Sequence, residues 1–166
     1  MTADHAQVLL QVMTGSIERE SAGTRKIIKA ITDKAYKPDP KSRTAWELAT
    51  HLAMSDVWFA ESICAGAFAW TGEPSTPPEL TDPASVAQWH ETHLAAGLAK
   101  LRALTPDQLL RETDFFGQKA PAVNWLVLMN NHAVHHRGQL AAYLRAMGSK
   151  VPAIYGMSAD EPMPAA

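Results

Sequence analysis

One stretch near the end of the chain, Asn130 to Leu140, reads NNHAVHHRGQL and constrains what the rest can fold into. His132, His135 and His136 lie in it, followed at once by Arg137, Gly138 and Gln139. Apolar residues flank it: Trp125 to Met129 before, then Leu140, Tyr143 and Leu144 after. On a helix, His132 and His136 leave the same face about 6 Å apart along the axis. That face continues through Trp125, Leu128/Met129, Gln139/Leu140 and Tyr143, an apolar stripe that points into a core. A buried imidazole carries one donor and one acceptor, and both need partners. A divalent metal shared by the two rings is one answer. Separate hydrogen bonds to carbonyls or carboxylates are the other.

The chain has 166 residues, enough for a single domain (1–166) with a sizeable core. Hydrophobic residues make up 46% and charged residues 19%, which excludes a disordered chain. A net charge of −2 gives no reason to expect nucleic acid or anionic lipid as partner. Cys64 is the single cysteine, so no internal disulfide forms, and a reducing compartment fits. Polar residues from Asp4 to Ser16 interrupt any signal-peptide core, and no apolar run has the length of a membrane span. The expectation is a cytoplasmic protein.

Asp4 to about Thr32 lacks proline and shows a helical stripe of Leu9, Val12/Met13, Ser16, Glu20, Ile27 and Ile31. Ser16 and Glu20 lie at its edge or face a polar pocket. Lys37-Pro38-Asp39-Pro40 ends this helix. Thr44-Ala-Trp-Glu47 is a capping box that opens a second helix, expected to run to about Phe68. His51 shares a face there with Leu48, Ser55, Trp58/Phe59 and Ser62. A loop over Thr71 to Asp82 carries Gly72, Pro74, Pro77 and Pro78. Asp82-Pro83 starts a third helix, reaching about Leu104. Its stripe is Val86, Trp89/His90, His93/Leu94, Gly97 and Leu101, with His90 and His93 expected at the surface or rim.

Thr105-Pro106-Asp107 caps a short helical turn, and Arg111 to Lys119 reads as irregular or weakly extended. Ala120-Pro121 starts the last helix, which ends at Gly148. The apolar tail Val151 to Gly156 is expected to pack back across the bundle, with Asp160 to Ala166 loose. The fold class is therefore all-α: an up-down four-helix bundle with a long loop before the third helix and an irregular C-terminal tail. Metal sites in such bundles are built from side chains on facing helices. His51, His132 and His136 can converge on one metal ion with an open position left over, the arrangement of catalytic rather than structural sites. Imidazole suits zinc, nickel, iron or copper, and three nitrogens do not choose between them; zinc or nickel is the first expectation, iron or manganese the next. A zincin is excluded because Ala133 stands where HExxH needs its glutamate. His135 lies off the ligand face, beside the ligands or at a subunit contact.

The run His132 to Leu140, then Tyr143-Leu-Arg-Ala-Met-Gly148, then Val151-Pro-Ala-Ile-Tyr-Gly156, closely resembles the DinB/YfiT-like family. Glu47-Leu48-x-x-His51 and Phe115-Phe116-Gly117 match as well, so the resemblance spans nearly the whole chain. It implies a four-helix bundle, a homodimer and metal ligands at His51, His132 and His136. It also implies structural positions at Arg137, tied to a neighbouring carboxylate, at Gly138, allowing close helix packing, and at Gln139. Relatives include transferases that use low-molecular-weight thiols such as bacillithiol or mycothiol. The activity so implied is a metal-dependent thiol S-transferase acting on a small-molecule substrate. A metal-dependent hydrolase, with Glu20, Ser55 or Tyr155 as loose proton-shuttle candidates, is the alternative, and a non-catalytic stress-related metal-binding protein is the third reading.

Overall fold

The computed structural model describes residues 1–72 and 74–162. Four long helices form: α1 (Ala3–Lys29), α2 (Ala45–Ala65), α3 (Pro83–Arg102) and, after a short α4 (Pro106–Leu110), α5 (Trp125–Ala146), which starts later than the expected Ala120-Pro121 because Gln118–Pro121 is a β-strand. Capping boxes close the starts of α2, α3 and α4 on Thr44, Asp82 and Thr105. α2 stops at Ala65, short of Phe68, because Gly66 takes the left-handed conformation (φ 71°) that ends a helix without a Cβ penalty. The weakly extended stretch is a hairpin, β1 (Glu112–Phe115) against β2 (Gln118–Pro121), with Phe115 paired to Gln118. Its two-residue turn, Phe116-Gly117, has φ 50° and 86°, the signs that a type I′ turn requires.

α1 and α2 each pack against both α3 and α5, so α1 lies diagonally opposite α2. One apolar cluster joins the start of α1 (Leu10, Ile17), the end of α2 (Phe59, Ile63), the end of α3 (Leu94, Leu98) and the start of α5 (Trp125, Met129). The other joins the opposite ends, with Ile27, Leu48, Val86 and Leu140. α1 and α5 thus run one way while α2 and α3 run the other. The four-helix bundle is the expected one, but its helices do not simply alternate: the long loop ahead of α3 lets α2 and α3 run parallel. Between the two clusters every helix contributes polar groups: Ser21 and Thr24, Asp56, His90, then Arg137, all buried.

The α1 stripe is rotated from expectation. Leu10, Thr14, Ile17, Ser21, Thr24 and Ile28 are buried, whereas Val12 is 58% exposed. Small hydroxyl residues can face this core because the helix itself satisfies them: Thr14 donates to the Leu10 carbonyl (2.8 Å) and Ser21 to that of Glu18 (2.7 Å). His90 is a second correction. It is fully buried, not at the rim, with Nε2 2.8 Å from Asp56 Oδ2. His93 is exposed, as expected, and stacks on Trp89 with centroids 4.1 Å apart.

The tail crosses back over the bundle. The Tyr155 hydroxyl donates to Glu20 Oε2 (2.6 Å), and Arg137 donates to both the Glu20 carboxylate and the Tyr155 oxygen. Asp160 and Glu161 are not loose: Asp160 pairs with Arg145 (2.6 Å) and accepts from the Val151 amide (2.8 Å), while Glu161 accepts from that of Ala153 (2.8 Å). Residues 163–166 of that segment lie outside the described residues.

Two glycines make opposite predictions. A Cβ on Gly97 would meet the Ala60 Cβ at 2.9 Å, where α3 and α2 approach closely. Neither atom can rotate away, so Gly97→Ala is expected to lose about 1–2 kcal/mol despite alanine's better helix propensity. A Cβ on Gly138 meets nothing within 4 Å, so close packing is not its role. Gly138→Ala is expected to gain about 0.5–1 kcal/mol. Chemical denaturation of the two variants reads both signs.

Candidate metal centre

The capping box at Thr44 sets where α2 begins, and so places His51 near the α2 start, facing α5. α5 brings His132 and His136 from consecutive turns. Ring centroids are 5.2 Å apart for His51–His132, 4.8 Å for His51–His136 and 4.4 Å for His132–His136. One ring nitrogen from each lies within 4.8 Å of the other two, a cluster that could hold a metal ion. Phe59 packs against His132 at 5.5 Å, and Phe115 of the hairpin stacks behind Phe59 at 5.9 Å, so the inner side of the cluster is aromatic.

Hydrogen bonds orient two of the rings. His136 Nδ1 donates to Gln139 Oε1 at 3.1 Å, which leaves Nε2 as its lone-pair nitrogen. Ser55 Oγ lies 3.5 Å from His51 Nδ1. His132 Nδ1 is buried with no hydrogen-bond partner among the described residues. A buried ring left so is what separate hydrogen bonds would have prevented; three convergent imidazoles with an orphaned nitrogen fit a metal ion.

Electrostatics agree. Burial pushes His51 down to about 4, aided by the Arg43 guanidinium and His136. Burial pushes His132 down to about 3, aided by the neighbouring histidines and Arg43. His136 is also lowered by burial, with the Gln139 hydrogen bond and Asp56 opposing. All three rings are therefore neutral near pH 7, the form that ligates metal. An unfolded histidine titrates near 6.5, so below that value the unfolded chain takes up protons that the folded chain refuses. Stability is thus complete above about pH 6.5 and falls as the pH drops toward 4. Thermal melts of metal-free protein from pH 7.5 to 4 are expected to show this fall, flattened when His51, His132 and His136 are all replaced by glutamine.

Residues 4–164 match the DinB family. The chain belongs to that family. It is 28% identical over 148 residues to the uncharacterized protein YrdA of Bacillus subtilis, covering 88% of this chain and 87% of that one. It is 32% identical over 117 residues to YjoA of the same organism, also uncharacterized, covering 69% and 73%. The crystal structure of the DinB-like YjoA superposes with TM-score 0.68 at 29% identity, over 86% of this chain and 96% of that one. A DinB-like protein from Bacillus cereus superposes with TM-score 0.70 at 26% identity, over 86% and 95%.

The other expected site residues of this DinB chain sort themselves. Arg137 does meet a carboxylate, that of Glu20. Burial alone would raise the Glu20 carboxyl, but hydrogen bonds from Tyr155 and Arg137 hold it below its usual value. Glu20 and Tyr155 are thus committed to Arg137, whereas Ser55 does stand at the cluster. His135 is exposed, its ring 4.9 Å from that of His136. The sequence reading missed Gln139 as an orienting residue, although its i+3 spacing from His136 was a usable signal. It also missed Arg43, for which no local pattern exists. No helix among the described residues is long and apolar enough to cross a membrane.

Proposed function

We propose that His51, His132 and His136 hold a divalent metal ion, zinc or nickel first, and that the protein is a thiol S-transferase. The observation that carries this reading is the convergence of three neutral imidazoles, with no carboxylate in the set, beside an open pocket of about 380 Å³ that His51 helps to line. When bound, the ion supplies a Lewis acid that lowers the pKa of a coordinating thiol, making a nucleophile available at neutral pH. With a thiol so activated, the reaction would join its sulfur to an electrophilic carbon while the leaving group departs with its electron pair and the thiol proton goes to solvent. The chain's part is positioning: Gln139 holds the His136 ring, and Phe59 with Phe115 keep water from the inner face.

Hydrolysis draws less support. It needs a proton-shuttling group, and the Glu20 carboxylate and Tyr155 hydroxyl are tied up in the Arg137 network, which leaves of the three candidates only the Ser55 hydroxyl, 3.5 Å from His51 Nδ1.

The test is thiol-dependent conjugation of 1-chloro-2,4-dinitrobenzene by metal-loaded protein, with cysteine, bacillithiol and mycothiol in turn. Turnover above the uncatalysed rate with at least one thiol, lost on chelation, is expected. No acceleration with any thiol, there or with an alkyl halide or epoxide as electrophile, would defeat the transferase reading.

A further inference from the structure

Between His51 and Ala60, α2 is buried on every side but one, a half-open stripe of His51, Met54, Ser55 and Trp58. The i, i+3, i+4, i+7 spacing puts all four on one helix face. That face is the floor of the pocket that His51 lines, whose volume of about 380 Å³ falls in the range of small-molecule sites. From His51 to Trp58 the helix rises about 10 Å, so the pocket has a histidine end and a tryptophan end.

The tryptophan end is held in place by its surroundings. Trp58 packs against Phe59 (5.1 Å) and Phe68 (5.4 Å). Its indole N–H donates to the Ala69 carbonyl (3.3 Å), which fastens the following loop to α2 and fixes the ring at the pocket wall. Trp70, carried by that loop, meets Trp58 edge to face at 5.7 Å, with 82° between the ring planes. Two indoles at that angle make a corner that seats one more ring, stacked on one wall and edge-on to the other. Trp70 is 49% exposed where it borders the pocket, an apolar area that a ligand there would cover. Between the two ends lies Met54, an unbranched thioether that adapts to varied shapes.

We propose that this pocket takes an electrophile built of one compact aromatic ring, seated in the corner of Trp58 and Trp70, and an arm of a few atoms that brings the reacting carbon past Met54 to His51. Length argues for the arm: a ring alone does not reach from the corner to His51 across about 10 Å of helix. The corner argues for the ring: a saturated body buries similar area there but makes no ring-on-ring contact. Trp70 is thus a specificity residue, at the far end of the pocket from the histidines. The role of the reacting carbon rests on the transferase reading; the ring seat does not.

The probes are 3-phenylpropanamide and 3-cyclohexylpropanamide, both neutral, so no ionic contact enters the comparison. The saturated compound is the more hydrophobic of the two, and a merely apolar pocket would prefer it. Titration of the full chain, metal-free and zinc-loaded, is followed by the tryptophan indole N–H signals in NMR spectra. The phenyl compound is expected to bind about threefold tighter, the scale of one aromatic pair, and to shift the Trp58 and Trp70 signals. Trp70→Leu keeps an apolar side chain at this exposed position and is expected to bring the ratio to unity or below. Equal or reversed affinities in the wild type would overturn the proposal, as would a ring preference retained in Trp70→Leu or shifts confined to the other tryptophans. A ring preference in protein without thiol-dependent turnover leaves the ring seat standing and defeats the transferase reading; turnover without a ring preference does the reverse.

Discussion

His132→Ala is expected to reduce bound metal from one equivalent to a trace, with affinity falling at least about a hundredfold. Loss of a partner that merely orients a ligand weakens metal binding by about 10- to 100-fold, and loss of one of three ligands exceeds that. Elemental analysis of untagged protein, wild type beside variant, measures the content; competition with a chromophoric chelator measures the affinity. Gln139→Leu sets the scale: it frees His136 Nδ1 but removes no ligand, so it falls between wild type and His132→Ala. One equivalent retained in His132→Ala would place the ion elsewhere. No metal in the wild type, even after reconstitution, would reduce the cluster to polar residues of the bundle interior.

Asp56→Ala is the largest stability effect expected. His90 is 0% and Asp56 2% exposed by side chain, and they meet at 2.8 Å. Removing one member of a buried pair strands the other without water or partner, which costs about 3–5 kcal/mol. For a domain of this size that corresponds to about 10 °C in Tm. Replacing both with apolar residues of similar volume, Asp56→Leu with His90→Phe, is expected to recover most of the loss, because no polar group is then left buried without its partner. Urea denaturation of single and double variants measures the difference. A loss below about 1 kcal/mol in Asp56→Ala would show that the pair is not what holds this layer. Asp56 also supports the charged form of His136, against the lowering by burial.

Much of the site was legible because its geometry is local. His132 and His136 share a face through the helical period alone, and the capping box at Thr44 makes α2 begin where His51 comes to face inward. The proline and glycine stops, the long loop before α3 and the returning tail follow from the same short-range chemistry. The errors share the opposite character. The α1 stripe was misread because adjacent Leu9 and Leu10 allow two registers, and hydroxyls satisfied by their own helix passed for surface residues. His90 was set at the rim because its partner lies 34 residues away. The hairpin was read only as irregular or weakly extended, because four-residue strands carry too little alternation to register.

By itself, then, the sequence determined the helices, their ends, the all-α class and two of three clustered histidines, since caps and a 3.6-residue period act within a few residues. Only the tertiary structure decided that His51 reaches the α5 pair, that Asp56 closes on His90, and that Arg43 and Trp70 border one pocket. Each of those depends on the rotation and direction of helices packed across the bundle, and no interaction within a single segment specifies that.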